Sequence, residues 1–196
     1  TGQTCHVMRM LPRLVFAALL LAPAPITPGL AQSHGHSEEQ SGQLDGLFRQ
    51  LAASTDAQTA RIIANDIWQI WIHPDDPALE ARVSEIMSAG GFAGPASQIP
   101  LIDALIADYP DYAEGWNLRA TAHFLNGAYE QSLADIVETL AREPRHFGAL
   151  SGRALIYHAQ GKRELALEAI TEALDIHPFL AERALFPELG PPPIRS

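Results

Sequence analysis

Cysteine is almost absent from this sequence. Cys5 is the one cysteine in 196 residues, which excludes an intramolecular disulfide and a cysteine-built metal site. Basic residues are scarce too: 13 Lys and Arg stand against 23 Asp and Glu, for a formal charge of -10 at pH 7. A surface that acidic lacks the clustered cations that phosphate backbones require, so nucleic acid is excluded as a partner class. Long apolar runs are missing. The best one, Leu14 to Ala22, is broken by Pro23 and Pro25 well before the roughly 20 residues a membrane-spanning helix needs. No H-E-x-x-H pair, phosphate-binding glycine loop, G-x-G-x-x-G or G-x-S-x-G occurs. Strand-like alternation between turn signals is lacking as well.

What is present begins with a three-part leader. Arg9 and Arg13 precede the apolar run, and Gly29-Leu30-Ala31 ends the prolines with small residues in the first and third places. Residues 1–31 therefore read as a secretory signal peptide cleaved after Ala31, with 1–7 as an upstream extension before Met8 or Met10. The alternative is a retained N-terminal anchor. Cleavage would leave 11 Lys and Arg against 23 acids, a charge of -12, no cysteine and no stable membrane span. The expected location is exported, in the periplasm. Residues 32–42 are polar and read as a disordered leader. Gly190 and Pro191 to Pro193 stop any helix, so 187–196 reads as a disordered tail.

Between them, apolar residues recur at i, i+3, i+4 and i+7. Leu44, Leu47, Phe48 and Leu51 do so, as do Leu133, Ile136, Val137 and Leu140, which predicts an all-α fold over 43–186. A repeat lies within it. Pro110, Pro144 and Pro178 are 34 residues apart, as are Gly127 and Gly161. Residues 113–146 and 147–180 align without a gap at nine identities, among them Arg119/Arg153, Ala120/Ala154, Ile136/Ile170 and Leu140/Leu174. Small residues at 120 and 154, facing 132/139 and 166/173, let two antiparallel helices approach closely. Asp76-Pro77 predicts a helix start, and Asp111 with Glu114 predicts a capping box. A weaker repeat covers 79–112, and an atypical helix pair covers 43–76.

A 34-residue helix–turn–helix period is that of the tetratricopeptide (TPR) repeat, which the chain resembles. Trp116, Ala120, Tyr129, Ile136 and Pro144 fall on the motif in the first clear repeat, and Ala154, Tyr157, Ala166, Ile170, Ala173 and Pro178 in the second. Leu150 departs from the motif's Trp, and Arg119 and Arg153 from its Leu. The resemblance implies helix pairs stacked in a right-handed α-solenoid and a non-enzymatic scaffold that binds a protein or peptide on its concave face. The first helix of each pair would line that face, with Glu114, Asn117, Thr121, Phe124, Ser151, Leu155 and His158 as expected contacts. Glu80, Val83 and Met87 would extend it. A Lys- and Arg-built clamp for a terminal carboxylate is not matched by Asn117 alone.

Two other readings arise from the same residues. The chain could be a structural module that self-associates through Trp68 and Trp71. His34 and His36 could bind a metal, but two ligands without a third make a poor site, and both read as surface histidines. His73 and His177 sit at expected helix C-termini, where the helix dipole favours an imidazolium. No catalytic, cofactor or metal residue is expected.

Overall fold

The computed structural model describes residues 1–2, 36–89 and 94–192. Residues 3–31 of the expected signal peptide, residues 32–35 with His34, and residues 193–196 lie outside that set. Contacts divide the chain into two units, 1–31 and 32–196, and every described helix belongs to the second.

Apolar spacing and local caps produce eight α-helices and no strand among the described residues. They are α1 (Glu38–Ala53), α2 (Ala57–Ile72), α3 (Pro77–Ala89), α4 (Ile99–Asp108), α5 (Ala113–Leu125), α6 (Tyr129–Arg142), α7 (Phe147–Ala159) and α8 (Arg163–Ile176). Asp56 starts α2 by accepting from the Gln58 and Thr59 amides, which also holds its carboxyl below the usual range. Asp76 starts α3 by accepting from the Ala78 and Leu79 amides, as expected of an acid before Pro77.

The repeat glycines terminate helices. Gly127 (φ 74°) follows α5 and Gly161 (φ 70°) follows α7, both in the left-handed region. The Ala128 amide donates to the His123 carbonyl, and that of Gly127 to the Phe124 carbonyl. Lys162 and Gly161 repeat the pattern on Tyr157 and His158, so both turns are Schellman caps.

Close approach within each pair follows from the small residues. Ala120 and Ser132 are buried, and the Ser132 hydroxyl donates to the Ala120 carbonyl at 2.7 Å across the α5–α6 seam. In the next pair Ala154 meets Ala166, Ala169 and Ala173 in an apolar core with Leu150 and Ile170. Arg119 ties neighbouring pairs together. It donates twice to Asp135 on α6 (2.9 and 2.7 Å) and once to Asp103 on α4 (2.7 Å). The hydrogen bonds to Asp135, chiefly, hold its guanidinium charged. Its repeat partner Arg153 lacks such an anchor, because Ala169 stands where Asp135 would; Arg153 bonds only Glu172, and its Nε is buried without a partner.

Three expectations are corrected. The residues assigned to a disordered leader, from 36 onward, are ordered: Ser37 caps α1 by accepting from the Gln40 amide. Gln40 is buried and joins distant parts of the chain, donating to the His73 carbonyl (2.8 Å) and accepting from the Asp75 amide (3.1 Å). The described part of the expected tail, 187–192, is tied down. Short 3₁₀ turns at Ala181–Leu185 and Pro187–Leu189 bury Phe186 completely, and Arg183 donates to the carbonyls of Leu189, Gly190 and Pro191. The Asp111–Glu114 capping box does not form. α5 starts at Tyr112 without a side-chain cap, and Glu114 faces the interior.

The N-terminal pair, α1 and α2, also folds back across the loops that join one helix pair to the next. Phe147, Ile176, Phe179 and Leu180 share a core with Leu44, Phe48, Ile67 and Trp71. The Tyr112 hydroxyl donates to the Trp71 carbonyl, and Arg145 pairs with Asp45 at 2.6 Å.

Candidate functional site: a groove between consecutive repeats

α5 and α7 are equivalent first helices of consecutive repeats, and a groove of about 180 Å³ runs between them. Asn117, Thr121 and Phe124 line it from α5, and Gly148, Ser151, Gly152 and Leu155 from α7. Ala120, Ser132 and Ile136 form the floor. Gly152 carries no side chain on this face, and the bare Gly148, one helical turn earlier, makes room for the Trp68 ring of α2. A Cβ on Gly152 would meet the Ile136 side chain at 3.8 Å, and one on Gly148 would press on the Trp68 ring at 3.0 Å. No Lys or Arg lines the groove, so it suits an uncharged, partly apolar segment.

Five of the seven expected contact residues, Asn117, Thr121, Phe124, Ser151 and Leu155, come together here. Thr121 is exposed, and Phe124 and Leu155 are half-buried. Asn117 is buried with its amide donating to Glu114 (3.0 Å), and the buried Ser151 hydroxyl donates to the Gly148 carbonyl (3.3 Å).

Glu114 and His158 do not share the groove. Both Glu114 and His146 have fully buried side chains, and Glu114 Oε2 lies 3.0 Å from His146 Nε2. His146 Nδ1 accepts from the Ala149 amide (3.0 Å), so the ring proton sits on Nε2 and is donated to Glu114. Trp71 then stacks on the His146 ring at 4.0 Å and 8°. Glu114 is thus an internal acceptor sealed by α2, and it offers nothing to a ligand. His158 is exposed but lies against the C-terminal cap, its ring 5.6 Å from Phe186 and its Nδ1 3.1 Å from Arg163. Of the three extending residues, Val83 is core, Glu80 pairs with His73 (3.5 Å), and Met87 is exposed.

Other expectations change with burial. His36 is 7% exposed, its ring set edge-on to Tyr112 and its Nδ1 3.2 Å from Gln40, so it is no surface histidine. His177 caps α8 but does not favour the imidazolium: burial outweighs the helix dipole and lowers its pKa to about 4. Trp71 is spent inside the chain, which removes it from any self-association surface.

Larger clefts carry less chemistry. One of about 600 Å³ is lined by Asp75, Asp76, Asp108 and Asp111. Three of these are already engaged: Asp75 accepts from Ser37, Asp76 caps α3, and Asp108 pairs with Arg82 (3.0 Å). Among the described residues no cluster of three His, Cys, Asp or Glu side chains is placed to hold a metal.

Sequence reasoning missed Gly148, Ala149 and Gly152. Part of the signal was there, since a glycine in a helix marks a place where another group comes close, and here Trp68 does so at Gly148.

Known proteins agree with this architecture. Residues 99–138 and 129–181 each match the tetratricopeptide repeat. A TPR repeat-containing protein of Rhizobium etli is 37% identical over 164 residues, which cover 82% of this chain and 80% of that one. No solved structure matches the chain.

Proposed function

The chain belongs to the tetratricopeptide-repeat family, and on that premise we propose that it is a non-enzymatic scaffold holding a segment of another protein in the α5–α7 groove. The observation that carries this reading is the meeting of exposed Thr121 and half-buried Phe124 and Leu155 around a trench that Gly152 leaves without a side chain. Such a lining offers apolar contact and hydroxyl partners, the mix typical of a peptide-binding cleft. We further propose that the protein acts after export, in the cell envelope. The basic start, short apolar run and Gly29-Leu30-Ala31 support that reading.

A photo-crosslinking residue at position 121 or 155, used in cells that make the protein, tests the groove. Capture of one defined protein from both positions, and not from exposed Val137 on α6, is the expected result. Capture from 137 alone would overturn it, and crosslinking only to a second copy would favour the self-associating module. N-terminal sequencing of the cellular protein tests export, with Gln32 as the expected first residue.

A further inference from the structure

The N-terminal pair meets the repeats through an unusual set of side chains. Three histidines are buried along this seam: His36 (7% exposed), His146 (0%) and His177 (5%). His36 packs on Tyr112, His146 lies under Trp71 with Trp68 edge-on, and His177 sets its ring edge-on to Phe147 at 5.4 Å. Trp68 also fills the space over Gly148, at one end of the α5–α7 groove. We propose that the α1–α2 pair is a clasp on that end of the groove, latched by buried His36 and His177 and released as the surroundings turn acid.

The charges around each ring set its part in the latch. Carboxylates of Glu143, Glu114 and Asp75 face His36; Asp45, Arg142 and Arg145 line the cavity on one side of it, and Asp76, Asp108 and Asp111 the cleft on the other. Burial dominates and lowers its pKa, while Gln40 and the three acids oppose that shift. His146, between them, is held by Glu114 and by the Ala149 amide. Among the described residues His177 has no carboxylate partner. Its Nδ1 accepts weakly from the Phe179 amide (3.4 Å), and Arg61 of α2 and Glu182 line the cleft next to it. A proton on His177 is therefore less compensated than one on His36.

The direction follows from linkage. The closed-state pKa of His177 is about 4, below the ordinary 6.5, so its contribution to closure is complete above 6.5 and drains away as the pH falls toward 4. At pH 5 the open form gains up to ~30-fold from this one group. The repeats need not melt with the clasp, since α5–α6 and α7–α8 bury their own seams.

Trp116 is the one tryptophan outside α2, so a Trp116→Phe chain reports on Trp68 and Trp71 alone. Its tryptophan emission and far-UV circular dichroism are followed from pH 7.5 to 4.5. The expected result is a tryptophan transition below pH 6.5 with most of the helical signal retained. His36→Asn/His177→Asn should move that transition down in pH. Arg61→Glu, an exposed change that sets a carboxylate beside His177, should move it down as well, and so guards against a double variant that fails to fold. The proposal is overturned if emission and helicity fall together, or if the transition stays in place in both variants. The link to binding rests on the groove reading and is read separately, as crosslinking from position 121 at pH 7.5 and pH 5. A pH-independent yield beside an intact tryptophan transition would overturn that link and leave the clasp standing.

Discussion

Replacing Glu114 with Ala separates an internal carboxylate from a ligand contact. Glu114 accepts from His146 Nε2 and Asn117 Nδ2, both 3.0 Å away, with the carboxylate and the imidazole shut off from solvent. Hydrogen bonds to a charged group contribute about 1.5–3 kcal/mol each, and Glu114→Ala leaves both donors buried without an acceptor. Relief from desolvating the carboxylate offsets part of that loss, so the net cost is about 3–5 kcal/mol, as for one partner of a buried pair. For a domain of this size each kcal/mol moves the midpoint by about 2–4 °C, so Tm should fall by roughly 10 °C. The assay is urea and thermal unfolding at pH 7.5 followed by circular dichroism, with Thr121→Ala as the exposed control, expected within about 0.5 kcal/mol of the parent. A Glu114→Ala loss below about 1 kcal/mol would refute the reasoning.

Two further outcomes concern repeat-related residues. Arg119→Met strips the bidentate partner from Asp135, whose side chain is 6% exposed, and should cost about 2–3 kcal/mol in urea unfolding. Arg153→Met loses only a pair with half-exposed Glu172 and removes an orphaned Nε, so its cost should lie within about 0.5 kcal/mol of zero; equal costs would refute the contrast. Gly127→Ala and Gly161→Ala meet no atom within 4 Å, so each should lose about 1 kcal/mol through backbone strain alone, and a much larger loss would point to a clash that the geometry excludes.

The repeats were readable because their signals are local. A glycine at a helix end, a proline 17 residues later and small residues on a facing seam all act within one helix pair, and the 34-residue period displays them twice. The groove was readable to the extent that helix phase decides which residues face it. Phase put Thr121, Phe124, Ser151 and Leu155 on one face, and also Glu114, but it carries no information about what covers that face. His146 lies 32 residues from Glu114, and Trp71 lies farther still. No pattern in 43–76 announces that its tryptophans cover residues 146–148 and not the neighbouring pair. His36 was misread because polar composition argues for disorder only where no distant partner waits, and the tail because prolines that stop a helix do not stop a chain from packing. Tyr112 receives His36, and Arg163 pairs with Glu188 and stacks on Phe186.

The backward fold of α1–α2 also has a consequence for synthesis. Arg145 reaches Asp45 across 100 residues, and Phe147 and Ile176 complete the apolar face of the first helix pair. That pair is translated well before the surface that covers it. At about 5–20 residues per second, Leu44, Phe48 and Trp71 wait on the order of 5–20 s for those partners. Stacked repeats ordinarily acquire each neighbour as they grow. Here α1 and α2 stay uncovered until about a hundred further residues have been made, so the nascent protein carries the apolar face of Leu44, Phe48 and Trp71 in the open over that interval.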